Sequence, residues 1–273
     1  MNFRPRKRFG QHWLRSEKAL SQIVTAAELR KGDRLLEIGP GTGILTRRLL
    51  PQIASLVSVE IDRDLCQRLV KSFGQKENFL LLQGDILELD LIAQLRQFPQ
   101  FQPLNKVVAN IPYNITGPIL EKLLGTIAQP HQPAYEQMVL LMQKEVAERL
   151  VDQPGTKAYG ALSVRVQYLA KCDWIADVPR TAFEPPPKVD SAIVRLSPYQ
   201  IDNPASNPRF LDQLVKLGFA TRRKMLRNNL KSLLDSDRVL AILEQLGIEP
   251  QARAEELSLR HWIDLSNLLE TLL

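Results

Sequence analysis

The stretch RLLEIGPGTGILT, residues 34–46, decides how the chain is read. It opens as a short apolar strand, RLLEIG (34–39), turns at glycines 39, 41 and 43, and continues as helix over Leu45–Leu50. A backbone without Cβ atoms can turn sharply and come within contact distance of a ligand. The helix that follows turns its N–H groups toward whatever sits at the turn. A glycine-rich strand-to-helix turn can equally be a tight connection and nothing more, so the neighbouring segments have to decide.

Those neighbours repeat the pattern. LVSVEID (56–62), FLLLQGD (79–85), KVVAN (106–110) and QMVLLM (137–142) read as further strands, and Leu65–Val70 and KEVAERLV (144–151) as helices between or after them. Strands this continuously apolar, alternating with helices, predict a parallel sheet covered on both faces. A helix over Glu17–Leu29 precedes the first strand. Leu162–Leu169 reads as helix. CDWIADVP and SAIVRLSPY flank the proline-rich FEPPPKVD (183–190) and predict an antiparallel extension at the sheet edge. IDNPASNP (201–208) reads as a linker, and helical pattern fills Arg209 to Leu273. The expected division is a basic arm over 1–16, an α/β domain over 17–204 and a small all-helical domain over 205–273.

Ligands of open α/β sheets bind beyond the carboxyl ends of the strands. There the glycine turn is followed by Glu60, at the end of the second strand, and Asp85, at the end of the third. An acid at the first place can accept both hydroxyls of a ribose; one at the second can accept from an adenine amino group. A dinucleotide fingerprint needs a third glycine where this chain has Ile44, and no G-K-[ST] follows for a phosphate loop. That disfavours a pyrophosphate sitting close to the backbone.

The fourth strand ends on Asn110-Ile111-Pro112-Tyr113. An exocyclic adenine amine is a poor nucleophile with two N–H groups. Two fixed acceptors would stabilise it as it turns pyramidal and positive: the Asn110 side-chain oxygen and a backbone carbonyl of the Ile111–Pro112 stretch. Pro112 stiffens the turn and brings no competing N–H. Tyr113 offers a ring face for the base. Acceptors oriented in advance avoid reorganisation during reaction.

Composition bounds the rest. The 273 residues carry a net charge of +6, which favours a polyanionic partner. Two cysteines, Cys66 and Cys172, point to a reducing compartment without a disulfide framework. Three histidines and no C-x-x-C give no metal pattern. No run approaches the roughly 18 apolar residues of a membrane span, and no apolar signal core follows the start. Arg4, Arg6, Lys7 and Arg8 are read as a basic arm of the mature protein rather than a transit peptide. In GFATRRKMLRNNLKSLL (218–234), helical spacing puts Phe219, Leu226, Leu230 and Leu233 on one face. Arg223, Lys224, Arg227 and Lys231 fall on the neighbouring face, as a candidate phosphate-binding row.

The glycine turn with its two acids resembles that of S-adenosylmethionine-dependent methyltransferases, and N-I-P-Y resembles the signature of those that act on amino groups. RKRFGQHWL (6–14), LLEIGPGTGILT (35–46), VEIDRDL (59–65), GDIL (84–87), ANIPYNITGPIL (109–120) and FEPPPKVDSAIVRL (183–196) together resemble the ribosomal RNA adenine dimethyltransferase family, in its small-subunit branch. The resemblance implies a Rossmann-like fold with a mostly parallel sheet, an antiparallel edge strand and a helical C-terminal domain. It also implies S-adenosyl-L-methionine as cofactor and N6,N6-dimethylation of two adjacent adenosines near the 3′ end of 16S rRNA. The substrate is expected to be a 30S precursor and the enzyme a cytoplasmic monomer with no membrane partner. Cofactor contacts map to His12, Leu14, Gly39, Gly41, Glu60, Ile61, Asp85, Ile86 and Asn110. Phe183 is expected to stack on the target base opposite Tyr113, completing a catalytic set with Asn110 and Pro112. The family usually has Asn at position 12 and Phe at 13; this chain has His12 and Trp13. The alternatives are a 23S rRNA adenine methylase, which shares the first four motifs, and a non-catalytic nucleic-acid-binding factor on the same fold.

Overall fold

A computed structural model describes residues 11–272, Pro133 excepted; the basic residues Arg4–Arg8 of the expected arm lie outside the described residues. Among the described residues there are nine strands: β1 Trp13–Leu14, β2 Arg34–Ile38, β3 Ser55–Glu60, β4 Phe79–Gln83, β5 Lys106–Asn110, β6 Gln137–Gln143, β7 Ala170–Val178, β8 Phe183–Glu184 and β9 Ser191–Pro198. Seven of them form one sheet in the order β4-β3-β2-β5-β6-β9-β7. β2 to β6 pair in parallel, and β9 runs antiparallel to β6. β2 and β5, adjacent in the sheet, are separated in sequence by β3 and β4. The strand order therefore reverses beside β2, which is where such sheets open a ligand crevice.

The strands form because their residues are apolar in runs and are covered on both faces. All of β3 is buried, as are four of five residues in β2 and in β5. Helices Glu17–Ala26, Ile44–Leu49 and Arg63–Phe73 supply the cover, through Leu20, Ile23, Leu45, Leu49, Leu69 and Phe73. Ser16 accepts from the Ala19 N–H and Asp62 from the Asp64 N–H, so two of these helices start on side-chain caps. The first helix stops at Ala26, short of the expected Leu29. Glu28 leaves helical conformation at φ 45°, and Lys106, buried at the start of β5, takes up the freed helix end: its Nζ donates to the carbonyls of Ala27 and Glu28 and to Asp33. Burial pushes the Asp33 carboxyl up, but hydrogen bonds from Asn105, Lys106 and the Arg30 N–H hold it below its ordinary value.

The chain gathers into two compact units. One takes in the chain up to Leu123, then Pro133–Ala147 and Cys172–Pro198; the other takes in Leu124–Gln132, Glu148–Lys171 and the chain from Tyr199 onward. The second is thus not simply the stretch after residue 204. Helix Ala161–Leu169 joins it because that helix packs on helices Pro208–Gly218 and Leu259–Glu270. Arg165 also reaches Asp212 at 2.9 Å.

The expected helix over 218–234 is broken. Helix Pro208–Gly218 ends where a Cβ on Gly218 would meet the Trp262 ring at 2.4 Å. Asn229 then takes the Gly218 and Thr221 carbonyls at 2.5 and 3.1 Å and closes the turn. Only Leu226–Asn229 is helical within the row. Leu226 and Leu230 are nevertheless fully buried, as their spacing predicts. Among the described residues, no helix is long and apolar enough to cross a membrane.

Candidate active site

The carboxyl ends of β2, β3 and β5, the turn after β4 and the segment around β1 surround a cavity of about 330 Å³, within the first unit. That is the lower end of the range for small-molecule sites, about 300–1,000 Å³. Its walls begin with the glycine turn. Gly41 has φ +58° and Gly43 φ +79°. A Cβ at Gly43 would come within 2.6 Å of the Phe73 ring, so no side chain fits there. The Gly39 N–H donates to the Val59 carbonyl at 2.9 Å, tying the turn to β3.

Glu60 holds the same turn from the end of β3. Its carboxylate accepts from the Gly41 N–H at 3.1 Å and the Asp62 N–H at 2.9 Å. Burial raises its pKa, against the pull of those hydrogen bonds. Asp85 lies on the turn after β4 and accepts from the Leu87 N–H at 2.9 Å. Lys122 pins that turn through the Leu87 and Leu89 carbonyls.

Glu37 is a site residue that the motif reading passed over, although an acid inside an apolar strand was the visible signal. It is 1 % exposed. One oxygen accepts from Thr46 at 2.7 Å and Ser58 at 2.8 Å. The other, Oε1, has no partner. Burial pushes the carboxyl up to about 7, against its two hydroxyl donors. A buried acceptor left open in a cavity wall suits a ligand that carries positive charge.

Asn110 ends β5, and its Nδ2 donates to the His12 carbonyl at 3.3 Å. Pro112 follows in extended conformation. Its carbonyl accepts from the Ile115 N–H and the Thr116 hydroxyl within the next turn. The Tyr113 hydroxyl meets Ser191 at 2.5 Å, and its ring lies on the His12 imidazole, with centroids 5.8 Å apart at 23°. Burial lifts the phenol to about 12, so the ring stays neutral.

The cavity brings together His12, Leu14, Gly39, Gly41, Glu60, Ile61, Asp85, Ile86, Asn110, Pro112 and Tyr113. It does not bring in Phe183. β8 pairs with β1, Phe183 opposite Leu14, and strand alternation turns the Phe183 side chain into the core at 4 % exposure. Glu184 faces outward, where it pairs with Arg15. Arg223, Lys224, Arg227 and Lys231 belong to the second unit. Arg223, Lys224 and Lys231 are exposed and Arg227 is half-buried. The adjacent Arg222 is occupied by Glu255 and the Lys157 carbonyl.

Comparison with known proteins places this geometry among relatives. The family model described as Ribosomal RNA adenine dimethylase matches residues 2–271. A ribosomal RNA small subunit methyltransferase A of Rippkaea orientalis is 70% identical over 267 residues, 98% of each chain. The protein of the same name from Synechocystis is 62% identical, covering 100% of this chain and 99% of the relative. A dimethyladenosine transferase from Plasmodium falciparum superposes with a TM-score of 0.76 at 28% identity, over 93% of this chain and 96% of that one. The 23S rRNA methyltransferase ErmE gives 0.72 at 26% identity, over 94% and 99%.

Proposed function

Because the chain belongs to the ribosomal RNA adenine dimethylase family, we propose that it transfers methyl groups from S-adenosyl-L-methionine to N6 of two adjacent adenosines near the 3′ end of 16S rRNA. The enzyme is an rRNA adenine dimethyltransferase. The observation that supports the site reading is the convergence of the glycine turn, Glu60, Asp85 and Asn110-Ile111-Pro112-Tyr113 on one cavity.

The residues fit the cofactor. Glu60 would hold the ribose hydroxyls and Asp85 the adenine amino group, with Ile61 and Ile86 against the adenine faces. Gly39 and Gly41 let the backbone approach the methionyl end, beside His12 and Leu14. The open oxygen of Glu37 meets the positive charge that this end brings. When bound, the cofactor supplies an electrophilic methyl carbon. The protein has to hold a weak nucleophile in line with that carbon. Asn110 Oδ1 accepts one N–H of the target amine. The Pro112 carbonyl is engaged in its own turn, so the Ile111 carbonyl accepts the other. Tyr113 carries the extruded base on its ring, as single-stranded bases are commonly held. The methylated amine is cationic and gives its proton to water, so no side chain need act as base.

RNA phosphates are bound by Arg223, Lys224, Arg227 and Lys231 of the helical unit. The substrate is a small-subunit precursor, met in the cytoplasm by a monomer of this protein with no membrane involved. The test uses small and large ribosomal subunits purified from cells lacking the modification, incubated with the protein and labelled cofactor. N6,N6-dimethyladenosine found by mass spectrometry in small-subunit RNA alone supports the proposal. Label in the large subunit would give the 23S activity instead, and cofactor that fails to bind would give the non-catalytic factor.

A further inference from the structure

Residue 12 touches the site in three ways at once. Its Nδ1 lies 2.8 Å from the Pro185 carbonyl oxygen. A carbonyl only accepts, so Nδ1 carries the proton and donates. Its own carbonyl accepts from Asn110 Nδ2 at 3.3 Å. Its ring rests on Tyr113, whose hydroxyl is fixed at its far end by Ser191. An asparagine amide has one donating and one accepting end. Engaging the nitrogen with a carbonyl decides which way the amide faces, and the oxygen remains for the ligand side.

We propose that His12 is a positioning residue for methyl transfer. Its ring N–H, anchored on Pro185, fixes the main chain whose carbonyl orients Asn110, and the same ring seats Tyr113. This goes beyond a contact with the cofactor, and it rests on the reading of Asn110 and Tyr113 as the groups that receive the target base. It also accounts for histidine at a place where the family usually has asparagine. Asparagine Nδ2 and histidine Nδ1 are both bonded to Cγ, so either side chain can offer a donor at the same reach. Glutamine puts its nitrogen one bond farther out. The imidazole adds the ring against Tyr113, which asparagine cannot supply.

The experiment compares His12→Asn, His12→Gln and His12→Ala with the unaltered protein, and includes Asn110→Ala as reference. Three quantities are measured: cofactor affinity by calorimetry, amide hydrogen exchange over residues 110–113 and 184–190, and single-turnover methylation of small subunits at saturating cofactor. The positioning role predicts that His12→Ala and His12→Gln slow the saturated rate on the order of 10²-fold, the scale of a misplaced reacting group. Exchange should rise at both segments in these two variants. His12→Asn should restore the donor to Pro185, and with it part of the rate and the protection over 184–190, while the ring contact with Tyr113 stays lost. A weaker cofactor affinity with an unchanged saturated rate in His12→Ala would overturn the proposal and leave His12 as a cofactor contact only. Failure of His12→Asn to restore rate and protection would overturn the Pro185 anchor. Full activity in Asn110→Ala would instead sink the reading of the active site on which this one rests.

Discussion

Glu37→Gln isolates the open carboxylate at the head of the cavity. Holding the carboxyl at about 7 instead of its ordinary 4.5 means that ionisation in the folded state costs about 3 kcal/mol by slightly alkaline pH. The folded-state pKa is raised, so the contribution is fully present below 4.5 and is lost as pH rises through about 7. The unaltered protein should therefore lose stability from this group across that window, by about 2 kcal/mol between roughly pH 5 and pH 8. Glutamine can still accept from Thr46 and Ser58 through its one oxygen, but it does not titrate. Urea denaturation without cofactor, at several pH values in that window, measures the difference between the two proteins. It should shift in favour of the variant as pH rises. Cofactor should reverse the trend: the unaltered protein gains affinity through pH 7, and the variant does not. A stability difference that stays flat across the window would refute the claim that burial of Glu37 outweighs its two hydroxyl donors.

Asn110→Ala removes one of two acceptors for the amine. The saturated methylation rate should fall about 10²–10³-fold, or roughly 3–4 kcal/mol of barrier, a loss larger than any change in cofactor affinity measured by calorimetry. Replacing Arg223, Lys224 and Arg227 together with glutamine should lower the slope of log affinity against log salt by about 2 to 3 for the small-subunit substrate; an unchanged slope would remove these residues from the RNA contacts. Lys106→Met leaves Asp33 buried without its cation at 2.9 Å, and chemical denaturation should show a loss of about 3–5 kcal/mol.

The sheet was legible because strands buried on both faces must be apolar throughout, which leaves helix and turn signals between them unmistakable. The strand-end residues were legible for a related reason. Glu60 and Asn110 are polar groups closing apolar runs, and such groups need partners. The direction of the Phe183 side chain was not legible, because a two-residue strand gives too little alternation to tell inside from outside; it is set by pairing with Leu14. The break after Gly218 escaped for a different reason. Helical spacing records which side chains are buried, and Leu226 and Leu230 satisfy it. It cannot record that Trp262, far along the chain, occupies the space over Gly218, or that Asn229 will take the carbonyls at the helix end. The joining of Ala161–Leu169 to the later helices is likewise decided by packing between distant segments.

The buried charges separate structure from chemistry more sharply than any motif does. At the entering ends of β2 and β5, Lys106 uses its donors on Ala27, Glu28 and Asp33, and Asp33 takes further hydrogen bonds from Asn105 and the Arg30 N–H. That network is closed by the chain itself. At the leaving end of β2, Glu37 is equally buried and keeps one oxygen open. An unmet polar atom of this kind costs roughly 1–3 kcal/mol, and a sequence under selection for stability alone would have an apolar residue there, as at Leu35 and Leu36 beside it. The cost is tolerable if a ligand supplies the missing partner, and Glu37 lines the same cavity on which the glycine turn, Glu60 and Asn110 converge. The Lys106–Asp33 network thus closes on itself at the entering ends of β2 and β5, while Glu37 keeps an open acceptor at the leaving end of β2, beside the candidate site.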